Sequence, residues 1–303
     1  MKYVASSLKM LVLATCAMGL QTAAAMTPLA DADLQDVRGA GIAFNLQNFS
    51  LTGDVSVTYQ GKAGQYIELN KLTLSRSDDV AATFTDPYTF DLYPRAGLSD
   101  VIRWTSPLNA NGLQKWQFAT DWKIGSGGSV FDGGAFLVQD LKNYGNRFEI
   151  ASPSVTGTEG VVWGAAIRTD IGNVLIRPRG RDDITNADAP GATNQLRFQG
   201  IHISDVDGVS PWVLADVTSQ PGIFNAVTEA GQSYLHLGIG WNTDLDVETR
   251  AGTVVIDNIT FKNDKPSYID PVTLAPASVL NLGVSSIGSM QIQYLDVKMH
   301  AGR

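Results

Sequence analysis

The sequence is poor in cysteine, histidine and charged residues, and each shortage limits what the protein can be. Its 303 residues include one cysteine and three histidines, and only 17% of them are charged. A single cysteine cannot form an intramolecular disulfide, and structural zinc sites need several Cys or His ligands held close together. The net charge of −8 opposes binding to nucleic acid and to anionic membrane surfaces. We therefore expect no disulfide framework, no zinc site and no nucleic-acid partner.

What the chain does contain is apolar residues and glycine. Hydrophobic residues make up 44% of the sequence, and there are 30 glycines. This apolar content supports a core, and abundant glycine with little charge favours a turn-rich β protein over helices or disorder. The composition therefore predicts an all-β fold.

Residues 1–25 have the pattern of a signal peptide. A positively charged start is followed by the apolar residues 10–20, and Ala23 and Ala25 supply small side chains for cleavage before Met26. Loss of Lys2 and Lys9 with this segment changes the net charge to −10. We expect an exported protein found in the periplasm, at the outer-membrane surface, or outside the cell in a pilus.

Cys16 lies within the apolar part of this signal. Residues 13–16 loosely resemble a lipoprotein cleavage box, so lipidation of Cys16 is the alternative. Thr15 suits such a box poorly, and cleavage after Ala25 would leave a mature chain without cysteine. No later apolar run reaches the length of about 20 residues that a transmembrane helix needs, so we expect no transmembrane helix.

The rest of the chain repeats one short pattern of apolar residues. Two apolar residues at spacing two are followed by two intervening residues and a second such pair. Spacing two places both members of a pair on one face of a strand. Five copies occur: Phe44, Leu46, Phe49 and Leu51; Ile67, Leu69, Leu72 and Leu74; Leu196, Phe198, Ile201 and Ile203; Val254, Ile256, Ile259 and Phe261; and Met290, Ile292, Leu295 and Val297.

The two residues between the pairs interrupt strict alternation. A β-bulge or bend at that point would return all four side chains to one core. We therefore predict bulged strands in an antiparallel β-sandwich. A prism or solenoid built from stacked copies is the alternative, although the copies begin at unequal intervals and true solenoids keep a fixed period.

Residues 26–41 predict a short helix between the signal and the β region. Thr27 is suited to cap it, and Gly39 to end it. The spacing of Leu29, Asp31, Leu34, Val37 and Gly39, directly after a signal peptide, resembles the start of secreted proteobacterial proteins of the FilA pilus-system type. The strand pattern Val254–Phe261 is similar to their strand units. This resemblance implies an exported surface or filament-associated protein rather than an enzyme.

Residues 42–303 are predicted to form one large β-rich domain, with an aromatic-rich insertion at about 84–146. Aromatic rings mostly fill cores, and we expect that role here. A groove lined by exposed rings, able to stack on sugars, is the alternative. The aromatic residues concerned are Phe84, Tyr88, Phe90, Tyr93, Trp104, Trp116, Phe118, Trp122, Phe131 and Phe136.

Two acidic stretches are candidates for a weak calcium site. One is Asp205, Asp207 and Gly208, and the other runs from Asn242 through Asp244 and Asp246 to Glu248. An EF-hand loop needs glycine at its sixth position, where the second stretch has Val247. Alternating acids are more often the hydrated face of a strand, so we expect no metal ion.

The sequence contains no recognisable catalytic motif. His202, His236 and His300 are far apart in sequence, there is no Gly-x-Ser-x-Gly nucleophile turn, and no phosphate-binding glycine loop precedes a helix. We expect no catalytic residue and no cofactor.

Three functions remain for such a chain. We expect a non-catalytic surface protein, associated with a pilus or filament, whose partners are other surface proteins or further copies of itself through strand edges. The first alternative is a secreted β-sandwich that binds glycans or acts on them. The second is an outer-membrane β-barrel, although the strand patterns are short and interrupted.

Overall fold

A computed structural model describes residues 41–46, 49–58, 64–77, 86–95, 97–153, 159–178, 194–241, 251–263 and 268–300. The predicted helix at residues 26–41 lies outside these ranges except for Gly41. All regular structure in the described residues is β-strand, and every strand pairing in the two large sheets is antiparallel. The all-β, antiparallel prediction is therefore confirmed.

Nineteen strands are formed by the described residues. They are β1 Ile42–Phe44, β2 Ser50–Thr58, β3 Tyr66–Arg76, β4 Tyr88–Arg95, β5 Leu98–Thr105, β6 Trp116–Ser126, β7 Ser129–Asn143, β8 Arg147–Ala151, β9 Val161–Ile167, β10 Thr169–Arg177, β11 Gln195–Asp205, β12 Trp212–Ala215, β13 Gly222–Glu229, β14 Gln232–Ile239, β15 Gly252–Lys262, β16 Tyr268–Ile269, β17 Pro276–Ala277, β18 Val279–Met290 and β19 Leu295–Met299.

The strands form two large sheets and one small pair. The nine-stranded sheet has the order β1-β4-β5-β8-β9-β13-β14-β19, with β12 also paired to β9. The eight-stranded sheet has the order β18-β15-β11-β10-β7-β6-β3-β2, and β16 pairs with β17. The chain mostly contributes two consecutive strands to one sheet and then crosses to the other. Both sheet orders thus follow the order of the chain, and the two antiparallel sheets are consistent with the predicted β-sandwich.

Three copies of the apolar repeat are single strands of the eight-stranded sheet with a bulge or bend, as the sequence predicts: β3 and β15 have register shifts at the gap, and β11 has a glycine with positive φ there. Strands β11 and β15 are neighbours in this sheet. The spacing of the four apolar residues is the same in both chain directions, so antiparallel pairing places each apolar residue of β11 opposite an apolar residue of β15. Leu196 lies opposite Phe261, Phe198 opposite Ile259, Ile201 opposite Ile256, and Ile203 opposite Val254.

The predicted bend occurs at the two-residue gap. Lys71 in β3 and Gly200 in β11 have positive φ angles of 50° and 61°. Asp140 occupies the same place in β7 with a φ of 54°, and Val138 and Leu141, on either side of it, line one cavity. A left-handed residue in the gap thus keeps both pairs on one face.

The first and last copies of the repeat are not bulged strands, and that prediction is wrong for them. Phe44 ends β1 in the nine-stranded sheet, whereas Leu51 lies in β2 of the other sheet. Met290 ends β18, and Leu295 begins β19 across the molecule. In both copies the two apolar pairs therefore belong to strands of different sheets, and spacing alone does not distinguish a bulged strand from a crossing between sheets.

The two sheets are joined where β7 continues into β8 and β9 into β10. Asn146 is buried at this corner and donates hydrogen bonds from Nδ2 to Asn143 Oδ1 at 2.9 Å and Thr169 Oγ1 at 3.0 Å. Its Oδ1 accepts from the backbone N–H of Arg168 at 2.7 Å. The amide side chain therefore replaces the ladder hydrogen bonds that the corner interrupts.

Each sheet also has its own small buried cluster. In the nine-stranded sheet Val101, Ala151 and Val162 pack with Val217, and beside them Arg103 forms an ion pair with Glu149, whose side chain is 2% exposed. In the eight-stranded sheet the buried cluster contains Ala135, Leu137 and Leu175.

Candidate functional site

One candidate site is the strand edge formed by β18. Among the described strands, β18 ends the order of the eight-stranded sheet, so only its β15 side is paired. Its sequence, VLNLGVSSIGSM, has no charged residue and no proline. Leu282 and Val284 are 59% and 72% exposed. We name the unpaired side of Val279–Met290 the β18 edge.

The pairing of β18 with β15 consists of short regular runs separated by bulges. Val279–Asn281 pairs with Thr260–Lys262, and Ser285–Ile287 pairs with Val254–Ile256. Between these runs Gly283 has a φ of 72°, which glycine adopts without strain. The most exposed apolar side chains therefore lie at the bend, with a regular run on either side that exposes backbone donors and acceptors.

The other described sheet ends differ from the β18 edge. β1 has three residues, and β19 carries Asp296 and Lys298. β2 carries Asp54, whose carboxylate accepts a hydrogen bond from the backbone N–H of Lys71 at 2.7 Å. Short strands and charged side chains are the usual protection against edge-to-edge pairing, and β18 has neither.

A second notable feature is a row of polar side chains across three strands and the adjoining corner. Tyr144 donates its hydroxyl to Asp170 Oδ2 at 2.9 Å. His202 Nδ1 lies 2.8 Å from Asp170 Oδ1, and its Nε2 lies 3.4 Å from Asp257 Oδ2. We name Tyr144, Asp170, His202 and Asp257 the polar row. Sequence analysis noted His202 alone and missed its partners, since they come from different strands.

Both titratable rings in the polar row are shifted. Burial, the hydrogen bond to Asp170 and the charge of Asp170 raise the pKa of Tyr144 to about 12. Partial burial lowers the pKa of His202, but the hydrogen bonds and charges of Asp170 and Asp257 outweigh it and raise that pKa above its usual value. The hydrogen bonds and charges of the row thus favour the neutral phenol of Tyr144 and, relative to a free imidazole, the protonated form of His202.

The other two histidines have separate partners. His236 Nδ1 lies 2.8 Å from Asn225 Oδ1, and its Nε2 lies 3.2 Å from Asp296 Oδ1. His300 packs edge-on against the ring of Tyr234. In the part of the chain that the structure describes, no group of three or more His, Cys, Asp or Glu side chains is arranged to hold a metal ion.

The first calcium candidate is a hydrogen-bonded turn. Asp205 Oδ1 accepts from the backbone N–H of Asp207 at 3.2 Å. Asp207 Oδ1 accepts from the N–H groups of Val209 at 2.8 Å and Ser210 at 2.7 Å. These oxygens stabilise the turn that Gly208 completes with a φ of 76°. The second candidate, Asn242 to Glu248, lies outside the described residues.

The aromatic segment contributes to both sheets. Strands β4 and β5 belong to the nine-stranded sheet, and β6 and β7 to the eight-stranded sheet. Trp116 and Tyr88 are buried and joined by a 3.1 Å hydrogen bond from Nε1 to the hydroxyl, as core rings would be. Phe131, by contrast, is 60% exposed. The rings therefore divide between core and surface.

A cavity of about 320 Å³ lies where the buried rings of the two sheets meet. Tyr88 and Trp104 line it from the nine-stranded sheet, and Trp116, Phe118 and Val138 from the other.

The predicted cleavage residues Ala23, Ala25 and Met26 lie outside the described residues. The described part of the chain contains no helix long and apolar enough to cross a membrane. Comparisons of the chain with protein-family models, with curated protein sequences and with solved structures find no match.

Proposed function

We propose that this protein is an exported, non-catalytic bacterial surface protein that binds other surface or filament proteins through the β18 edge. The observation that carries the proposal is the edge of β18, which no other described strand pairs and which has neither a charged residue nor a proline. An extended segment of a partner can add to such an edge through main-chain hydrogen bonds.

The side chains at the β18 edge support the same role. Leu282 and Val284 are exposed on either side of Gly283. In strand addition the main chain supplies affinity and alternate side chains supply specificity. The two apolar side chains would contact the partner beside the backbone pairing. The regular runs at Val279–Asn281 and Ser285–Ile287 would supply the hydrogen bonds.

Support for export and surface location comes from the sequence. The pattern of residues 1–25 is that of a signal peptide, and residues 29–39 resemble the start of FilA-type proteins. The acidic net charge disfavours anionic lipid headgroups and nucleic acid as partners. With those two classes of partner disfavoured, we expect the partner of the β18 edge to be a protein.

The proposal is tested by photocrosslinking in producing cells. A photoreactive phenylalanine analogue replaces Val284 at the β18 edge or, as a matched control, Val272, which is 88% exposed outside the large sheets. We expect a discrete adduct with another surface protein, or with a second copy, from position 284 alone. Adducts of equal yield at both positions, or none at 284, would contradict edge binding.

Glycan binding is a second candidate, favoured by one observation. The rings of Trp241 and Tyr294 are both exposed and stack on each other, with centroids 5.1 Å apart and an interplanar angle of 15°. A flat exposed aromatic surface is suited to contact a sugar ring. Retention on polysaccharide resins that is lost in Trp241→Ala would favour this candidate, and passage of the wild-type chain without delay would reject it.

A further inference from the structure

Both ends of the eight-stranded sheet lack a neighbour among the described strands. These ends are β2 and β18. Residues 50–56 of β2 are all exposed, and so is most of β18. Since an unpaired strand edge can accept a further strand, the sheet offers one such edge on each side.

The number of strands in this sheet sets the directions of its two outer strands. Every pairing from β18 across to β2 is antiparallel, and with eight strands the two outer ones therefore run in opposite directions. If a second copy is placed beside the first without being turned over, its β18 lies antiparallel to β2 of the first copy. The same faces of the two sheets then point to the same side.

Strand β2 passes the bend of the apolar repeat with one residue fewer than β3. Gly53 lies opposite Leu72, and Val55 lies opposite Leu69. Asp54 alone therefore stands in β2 against the two gap residues of β3.

Strand β18 has the same single residue at its bend. Gly283 lies opposite Ile259, and Ser285 lies opposite Ile256. Val284 alone stands against the two gap residues of β15. Both outer strands thus keep a spacing of two through the bend, and they can pair with each other there without a bulge.

Continuing the pairing of the repeat from one copy to the next defines the register. It sets three positions against each other: Leu51 against Ile287, Gly53 against Ser285, and Val55 against Gly283. Leu51 and Ile287 are both exposed, and both lie on the apolar face, because Leu51 is opposite Leu74 and Ile287 is opposite Val254. Their contact would cover apolar surface that a single copy leaves in water.

The charge of Asp54 is compatible with this pairing. Its carboxylate accepts a hydrogen bond from the backbone N–H of Lys71 at 2.7 Å, within its own sheet. In the inferred register Asp54 lies opposite Val284, and β18 has no charged residue. No pair of like charges would therefore form between the two edges.

Two β18 strands match each other less well. Antiparallel pairing centred on Ser285 would set Ile287 of each copy against Gly283 of the other. It would also leave β2 unpaired in both copies. Pairing β2 with β18 brings two apolar side chains together and uses both ends of the sheet.

We propose that copies of this protein assemble head to tail, with β2 of one copy paired to β18 of the next. The inference rests on the proposed function, since it uses the β18 edge and identifies the partner as a second copy. An interface between two different surfaces of one chain can repeat without closing, so the product is a linear filament with a continuous sheet.

Cysteine trapping in producing cells tests the assembly and its register. Cys16 is the only cysteine of the chain, so in a Cys16→Ser background only the introduced cysteines react. Directly opposite residues of paired strands are close enough for a disulfide. Leu51→Cys combined with Ile287→Cys should give, on oxidation, a ladder of dimers, trimers and longer species that a reductant collapses.

The matched control moves one cysteine by a single residue. Thr52→Cys combined with Ile287→Cys places the two thiols on opposite faces of the paired strands and should give at least tenfold less multimer. Leu51→Cys and Ile287→Cys coexpressed on separate chains should give dimers only, because each chain then has one reactive edge. Thermal unfolding verifies that the doubly substituted chains fold.

The outcomes separate this inference from the proposed function. Absence of a ladder, a ladder equal to that of the control, or dimers from Ile287→Cys alone would overturn head-to-tail assembly. If a photoreactive group at position 284 still forms an adduct with another surface protein, only this inference fails. If that adduct is also absent, the proposed function fails with it.

Discussion

Gly200 in β11 lies directly across from Asp257 in β15, and a Cβ on Gly200 would overlap the Asp257 carboxylate. This close approach coincides with the bend of the apolar repeat, where Gly200 has a φ of 61°. It also positions Asp257 Oδ2 beside His202 Nε2. One glycine therefore provides both the left-handed backbone of the bend and the space for a member of the polar row.

The first prediction concerns this glycine. Gly200→Ala adds left-handed strain, about 1 kcal/mol, and overpacking against Asp257, about 1 kcal/mol or more. Gly208→Ala is the matched control, since Gly208 also has a positive φ but open space around its Cβ position. Urea unfolding should show a larger loss of stability for Gly200→Ala. Equal losses of stability in the two variants would show that the close approach of Gly200 to Asp257 does not affect the free energy of unfolding.

The second prediction concerns the pH dependence of His202. Because its pKa is raised in the folded protein, its stabilising contribution is fully present below the usual pKa of 6.5 and is lost as pH rises through the raised value. NMR titration should find the His202 pKa above 6.5. Asp257→Asn should lower it.

Unfolding measurements check the same point independently. The stability difference between the wild type and His202→Gln should be greater at acidic pH than at alkaline pH. A difference that stays constant with pH would contradict the ion pairing of the polar row.

The third prediction concerns Asp216, which stabilises the turn between β12 and β13. Its Oδ1 accepts from the N–H groups of Thr218 and Ser219, each at 3.0 Å, and its Oδ2 pairs with Arg95. Burial raises the pKa of Asp216, but these hydrogen bonds and Arg95 outweigh it and hold the pKa well below 3.8. Asp216→Asn should cost about 2 kcal/mol at neutral pH.

The lowered pKa of Asp216 determines how its contribution to stability depends on pH. The stabilisation by Asp216 is present above the ordinary aspartate pKa and is lost only as pH falls through the lowered value. Asp270→Asn is the control, because Asp270 accepts from Val272 and Thr273 in the same kind of turn but is fully exposed. It should show a smaller loss in thermal unfolding; an equal loss would assign the effect to turn capping alone.

The fourth prediction concerns the buried ion pair beneath the nine-stranded sheet. Arg103 Nε donates to Glu149 Oε1 at 2.7 Å, and its Nη2 contacts the same oxygen. Glu149→Gln leaves the guanidinium without a buried counter-charge and should cost about 3 kcal/mol in urea unfolding. Glu229→Gln removes the exposed partner of Lys298 and should have little effect. Similar losses for both would indicate that burial does not matter here.

Much of the fold can be predicted from the sequence, because the spacing of apolar side chains depends directly on strand geometry. The repeat predicted strands with a bulge or bend at the gap, and β3, β11 and β15 have that form. Two further strands with three of the four apolar positions were missed. The remaining position of the pattern is occupied by Asn143 in β7 and by Thr169 in β10. A search allowing one polar position would have found both.

The rest of the fold and of the site depends on which strands become neighbours in a sheet. The spacing of residues within a single strand does not determine this. Asp170, His202 and Asp257 are far apart in sequence and adjacent only because β10, β11 and β15 are consecutive in the sheet. The apolar surface formed by Val161, Trp163 and Phe224 likewise needs the pairing of β9 with β13. The exposed character of β18 follows from its place at the end of the sheet, whereas its apolar residues alone would fit an interior strand.

The central claim is surface export with binding through the β18 edge, and immunogold electron microscopy of intact producing cells tests it most directly. Antibody against the chain from residue 26 is compared in wild type and in the double variant Leu282→Lys and Val284→Lys. We predict gold on the surface and along filaments in the wild type, and loss of filament labelling in a folded, exported variant. Gold found only after the cells are permeabilised, or identical labelling of both chains, would contradict the account.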